Sequence, residues 1–216
     1  MSEEAPAPPP STEAAPKTEA KATPGPQALF PPLFQRFKFE GLEVHDPSLK
    51  GHIYVDPVFV PHSEGRLVGH SFAKAKMHLV ERLANDLMKG GKLTGKKSRA
   101  LHVVRDALEI LARTQPDQNP LQLLINAVEN AAPREMVTRL QFGGISVPRA
   151  VDTAPSRRLS VAVRNLAMGA LTAAKKPKTT LPKALANEIL LASKADMGSF
   201  AVAKKEEVER IAQSAR

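Results

Sequence analysis

The sequence predicts a mostly α fold, a bundle of about six helices with a protruding β-hairpin arm. Three observations carry this. Apolar residues recur at helical spacing through six segments between Ser71 and Ser214. The bulky apolar stock is aliphatic, with eight Phe, one Tyr and no Trp in 216 residues, which suits helix packing. Between two helical segments, RLQFGGISVPRAVDTAPSRR (139–158) sets β-branched residues around a Gly-Gly pair, a pattern foreign to a helix.

Residues 1–28, built from Ala, Pro, Glu, Ser and Thr, cannot bury enough apolar surface to offset chain entropy, so they read as a disordered tail. Residues 29–70 read as an extended arm. Its Pro-rich and aromatic runs (LFPPLFQRFKFE, DPSLKGHIYVDPVFVPHSEG) favour a strip laid over a surface with little regular structure. The helical domain spans 71–216. SFAKAKMHLVERLANDLMK opens it, with Ser71 as N-cap and Met77, Val80, Ala84, Leu87 and Met88 at helical spacing; Gly90-Gly91 ends it. A second helix over about 97–114 buries Leu101, Val104, Leu108 and Leu111. A third begins at Asn119-Pro120, a cap followed by proline at the first helical position, and buries Leu121, Leu124, Ile125 and Val128.

The hairpin follows at about 136–152. Gly143-Gly144 suits a two-residue turn with positive φ at both positions. Three helices close the chain. About 156–176 turns Leu159, Val163, Leu166 and Ala170 inward and keeps Arg157, Arg158, Arg164, Lys175 and Lys176 off that face. The others span about 180–195 and 199–214, the last capped by Ser199 with Val208 and Ile211 inward.

The formal charge is +9 and the isoelectric point near 9.9. The tail holds two lysines against four glutamates, so residues 29–216 carry +11. Such an excess favours a polyanionic partner, because neutralised phosphates release condensed counterions. With no cysteine there are no disulfides or cysteine zinc sites, and a reducing compartment fits. The chain contains no apolar run of spanning length and no basic-then-apolar leader, so a soluble cytoplasmic protein without membrane association is expected.

Catalytic motifs are weak. GGKLTGKKS (90–98) satisfies GxxxxGK through Gly90, Gly95 and Lys96, but Lys97 stands where Ser or Thr must ligate magnesium, and a helix precedes it where a strand is needed. With a nucleotide-hydrolysing site set aside, the segment reads as a flexible connection between helices or, favoured by Lys89, Lys92, Lys96, Lys97 and Arg99, as a loop on an RNA backbone. The six histidines (His45, His52, His62, His70, His78, His102) show no ligand spacing, and each reads as satisfied or solvent-facing. No catalytic residue, metal or cofactor is indicated. A lone hairpin is marginal in water, so one carrying Arg139 and Arg149 reads as reaching toward a partner or as a flap packed on the helices. Lys74, Lys76, Arg82, Arg134, Arg157 and Arg158 favour the partner. A helical adaptor for acidic proteins is the competing class.

Several motifs, in order, carry a resemblance: PHSEG…FAKAKMHLVERL, RALHVVRDALEIL, NPLQLLINAVENAAPRE, VPRAVDTAPSRR and FAVAKKEEVERIAQSAR. Together, across about 37–216, they resemble the universal small-subunit ribosomal protein family numbered seven in bacteria and five in eukaryotes, in its archaeal and eukaryotic form. The resemblance implies a helical bundle with a β-hairpin. It implies a structural constituent of the small subunit, a primary binder of the 3′ major domain of its rRNA that nucleates head assembly near the exit-site tRNA and the mRNA path. Carried over by position, rRNA contacts would be Lys74, Lys76 and Arg82, then Lys92, Lys96, Lys97 and Arg99, then Arg134, Arg139, Arg149, Arg157 and Arg158. Gly143, Gly144 and Arg149 of the hairpin would lie near the exit-site tRNA and mRNA, and Lys204, Lys205 and Arg210 of the last helix would face the neighbouring platform protein or the mRNA path, with head and platform proteins as partners. Two departures stand out: SVPRAVD has a single arginine, and the Ala/Pro/Glu tail has no counterpart in the family pattern.

Overall fold

The computed structural model describes residues 32–39, 41–67, 69–177 and 179–216; the tail lies outside the described residues. Among these, seven α-helices and one two-stranded antiparallel sheet surround a single hydrophobic cluster. The helices are α1 (Pro47–Lys50), α2 (Leu79–Leu87), α3 (Lys97–Thr114), α4 (Pro120–Ala131), α5 (Pro155–Ala173), α6 (Leu181–Ser193) and α7 (Phe200–Ser214). None of them is long and apolar enough to cross a membrane.

At the centre, α6 packs on α3, α4, α5 and α7. Its buried face is mostly small (Ala184, Ala186 and Ala192 beside Leu185 and Ile189), which lets neighbouring helix backbones approach closely. Local signals place α3 and α4 where the sequence predicts them. Asn119 Oδ1 accepts from Leu121 N at 3.0 Å with Pro120 at the first helical position. The same face of α4 holds down the arm. Asn119 Nδ2 donates to Lys38 O (2.8 Å), Gln122 exchanges two hydrogen bonds with the Glu43 backbone (2.9 Å each), and Glu129 Oε1 accepts from His45 N (2.8 Å). Leu33, Phe37, Leu49 and Ile53 of the arm thereby join the core. The arm is less irregular than its prolines suggest, because Asp46 caps the short helix α1.

The first predicted helix begins seven residues later than expected. Phe72 takes a left-handed conformation (φ +60°), Ala73–Lys76 form a 3-10 turn, and His78, not Ser71, caps α2 through Nδ1, which accepts from Val80 N at 3.2 Å. Met77, Val80, Ala84 and Leu87 are still buried, so their spacing was satisfied without the preceding lysines being helical. His78 is also neither satisfied nor solvent-facing: it is 4% exposed, edge-on to Phe39, and its Nε2 has no hydrogen-bond partner. Two placements on the later helices differ as well. Arg158 is buried, not off the face, because a carboxylate of the arm reaches it. Ile211 is 51% exposed and Val208 half-buried; α7 turns Ala201, Val202 and Ala212 inward onto α5 and α6. Ser199 does cap α7, accepting from Val202 N at 3.4 Å.

The hairpin pairs β1 (Glu135–Phe142) with β2 (Ile145–Asp152). Gly143 (φ +54°) and Gly144 (φ +87°) form the turn, with the positive φ at both positions that its length requires. Among the described residues its anchors lie at the base: Ala150 N donates to Ala215 O (3.3 Å), and Arg216 pairs with Glu135.

Candidate nucleic-acid interface

Along the hairpin the register sets Thr138 opposite Arg149 and Arg139 opposite Pro148. Side chains alternate along a strand, so the two arginines stand on opposite faces of the ribbon, both exposed. Arg149 shares its face with Ile145 (70% exposed), Val147 and Val151, an apolar strip left exposed among the described residues. Gly143 and Gly144 are exposed at the tip. Arg134 is exposed at the base, where its backbone N–H donates to Glu209 Oε1 at 2.9 Å.

Away from the hairpin, cations gather at two cavities. The first, about 330 Å³, is lined by His52, Phe72, Lys74, Ala75, Arg82, Ser156, Arg157 and Ser160. Here Arg82 Nη2 donates to Ser160 Oγ at 3.1 Å, and Lys74 Nζ lies 3.5 Å from the same hydroxyl. Burial, then repulsion from Arg82, Lys89 and Arg164, holds the Lys74 ammonium below its ordinary pKa. Burial does the same to the Arg82 guanidinium. The second cavity, about 800 Å³, has an apolar floor that includes Leu93, Val103 and Leu171, with Lys89, Arg99, Arg164 and Lys175 around it. Arg82 of α2 and Arg157 of α5 line the first cavity, Lys89 after α2 and Arg164 of α5 the second, so both lie along the packed pair of α2 and α5.

Other predicted cations are committed to the protein itself. Lys97 forms an ion pair with buried Glu81. Burial alone would raise the Glu81 carboxyl, but hydrogen bonds from Lys97 and from Ser63 N (2.9 Å) and Oγ (2.8 Å) outweigh it and hold it below its ordinary range. Arg158 pairs with Asp46 at 2.7 Å. Lys76 and Lys96 are exposed, and the Lys92 side chain lies outside what the structure describes. On α7, Lys204 pairs with Glu207 at 2.7 Å, Lys205 is half-buried and Arg210 exposed. The structure thus unites Lys74, Arg82 and Arg157, and separately Arg99 with Lys89, Arg164 and Lys175. It leaves Arg139 and Arg149 on the arm.

Sequence reasoning passed over Phe72, 92% exposed beside the first cavity. A large aromatic between Ser71 and Ala73, two residues before a lysine, was its available signal. Gly90–Lys97 is no phosphate loop: helix α2 precedes it, and the only strands among the described residues are those of the hairpin. No cluster of three or more metal-ligating side chains occurs among the described residues.

Residues 51–216 match the model of the family described as ribosomal protein S7p/S5e. The chain is 50% identical over 184 residues to small ribosomal subunit protein uS7 of Thermoplasma volcanium, covering 85% of this chain and 100% of that protein. It is 52% identical over 185 residues to the protein of the same name from Methanococcus maripaludis (85% and 98% covered). For that of Archaeoglobus fulgidus the identity is 47% over 184 residues (85% and 94%).

Proposed function

This chain belongs to the ribosomal protein S7p/S5e family, and from that membership we propose how it works as a structural, non-enzymatic constituent of the small ribosomal subunit. It binds the 3′ major domain of the small-subunit rRNA directly and nucleates folding of the subunit head in the cytoplasm. Exposed cations supply the affinity. Lys74, Lys76, Lys96, Arg99 and Arg157 on the bundle, with Arg134, Arg139 and Arg149 on the hairpin, neutralise phosphates where RNA helices meet. Arg158 and Lys97 serve the same surface from beneath, by fixing the arm and the start of α3. The hairpin tip at Gly143-Gly144, with Arg149, reaches toward the exit-site tRNA and the mRNA path, while Lys204, Lys205 and Arg210 face the neighbouring platform protein or the mRNA path.

The observation that carries this reading is Arg82, a cation only 5% exposed whose hydrogen-bond partners are neutral oxygens of Ser160 and His52. A buried charge without a counter-charge is unfavourable, and a phosphate supplies one. The chain has few aromatics, which fits recognition of RNA shape more than a stacking platform on a sheet.

Binding of the full chain to the isolated 3′ major domain rRNA, against a scrambled RNA of equal length across a salt series, tests the reading. The true RNA should remain preferred at about 200 mM salt. If roughly eight phosphates are contacted, affinity should fall about a thousandfold from 50 to 200 mM. Equal, salt-labile binding to both RNAs would reduce the surface to a generic basic one and favour an adaptor for acidic proteins.

A further inference from the structure

Building on the RNA reading above, we infer that the 330 Å³ cavity between the Ala73–Lys76 turn and the start of α5 holds one unstacked nucleotide, its phosphate on Arg82, Lys74 and Arg157 and its base on Phe72. The phosphate half of the site is already built. Arg82 is nearly inaccessible and projects into the cavity, where it and Lys74 meet over the Ser160 hydroxyl, itself donating to Ser156 O at 2.8 Å. No carboxylate among the described residues lines the cavity. Asp86, the acidic group acting on both cations, does so from a distance and is paired with Lys89. Ser156 and Arg157 lie in the first turn of α5, whose Ala154 cap offers no side-chain acceptor, so the positive end of a 19-residue helix opens on the same space.

The base half rests on Phe72. Its ring is 92% exposed, and its backbone is left-handed, a conformation rare for a bulky side chain. This arrangement costs free energy, and it leaves the ring exposed among the described residues. It offers a flat apolar face at the mouth of a cationic cavity, the combination by which single-stranded bases are held. The cavity volume lies in the range of small-ligand sites.

Because the chain contains no tryptophan, F72W places a single tryptophan at the site, whose emission is excited apart from that of Tyr54. Full-length F72W is titrated with the 3′ major domain rRNA while fluorescence anisotropy of labelled RNA records binding in parallel. A stacked base should quench the emission over the same RNA concentrations that saturate binding. F72A should bind roughly tenfold more weakly with an unchanged salt slope, whereas R157Q should reduce that slope by about one. Unquenched emission on fully bound RNA, with F72A binding like the native chain, would overturn the nucleotide site and leave the RNA reading intact. Failure of the native chain to prefer this RNA over the scrambled control would overturn both. At 92% exposure the position bears no packing, and circular dichroism of F72A verifies that the fold is kept.

Discussion

Arg158 Nη2 and Asp46 Oδ2 lie 2.7 Å apart, an ion pair that joins the first turn of α5 to the cap of α1 across 112 residues of sequence. The same guanidinium bonds Ser48 Oγ and donates from Nε to Pro133 O at 3.2 Å, so one side chain ties together the arm, the end of α4 and α5. R158A should destabilise the fold by about 2–3 kcal/mol in denaturant unfolding, since it strands the Asp46 carboxylate and the Pro133 carbonyl. R158K should recover little, because an ammonium cannot reproduce the fork. For Asp46, burial acts to raise the pKa, but hydrogen bonds from Arg158 and Ser48 outweigh it and hold the carboxyl below 3.8. Its contribution is therefore present above about pH 4 and lost as pH falls through the lower folded value. D46N should remove that part of the acid dependence; an R158A chain as stable as the native one would refute the clamp.

His78 governs a different pH window. Burial pushes its imidazole down from 6.5 to about 4, with Glu81 and Asp56 offsetting only part of the effect. As pH falls below about 6.5 the unfolded chain takes up this proton while the folded chain does not. Stability is thus untouched above pH 6.5 and declines between 6.5 and 4, by on the order of 3 kcal/mol in full. H78N keeps an acceptor for Val80 N and removes the titration. Urea midpoints measured at pH 7 and pH 5 should converge in H78N; an equal slope in both proteins would exclude His78 as its source.

What the sequence disclosed, and what it concealed, divides along range. Asn119-Pro120, Gly143-Gly144 and Ser199 act on residues one to three positions away, so the start of α4, the hairpin turn and the α7 cap were legible, and the apolar spacing of Leu101, Val104, Leu108 and Leu111 disclosed α3. Arg158, Arg82 and Lys97 looked like any surface cations. Their commitment to the fold depends on Asp46, Ser160 and Glu81, brought close only by packing. The break at Phe72 was hidden because phenylalanine, unlike glycine or asparagine, does not advertise positive φ in a sequence, and the helical spacing ran on through it. The site was therefore readable as a charge excess on the folded part, but not as a division between cations left free and cations already committed.

Gly169 offers a test of the packing between α5 and the α6–α7 junction. A Cβ there would lie 2.8 Å from the Glu188 carboxyl and 2.9 Å from Phe200 Cβ. Glu188 Oε1 accepts from Ser199 Oγ (2.7 Å) and Ala201 N (3.0 Å), so displacing it disturbs the start of α7. G169A should destabilise by about 1–3 kcal/mol in thermal or denaturant melts, although alanine is the better helix former by about 1 kcal/mol. G198A, whose Cβ would come no closer than 3.5 Å to Asp196, should be near neutral. Equal effects from the two substitutions would remove the close approach as the cause.

The hairpin arginines separate binding from folding. Arg139 and Arg149 occupy opposite faces of a ribbon anchored at its base, and both are exposed. Neither R139A nor R149A should shift stability by more than about 0.5 kcal/mol. If RNA covers both faces, each substitution should lower the slope of log affinity against log salt by about one. The double variant should lose both increments, because residues on opposite faces share no phosphate. Equilibrium binding to the 3′ major domain rRNA at several salt concentrations measures this directly. A slope change confined to R149A would mean that only the face carrying Ile145, Val147 and Val151 meets the partner. No change in either variant would make the hairpin a flap whose charges are merely solvated, and would take Arg139 and Arg149 out of the interface.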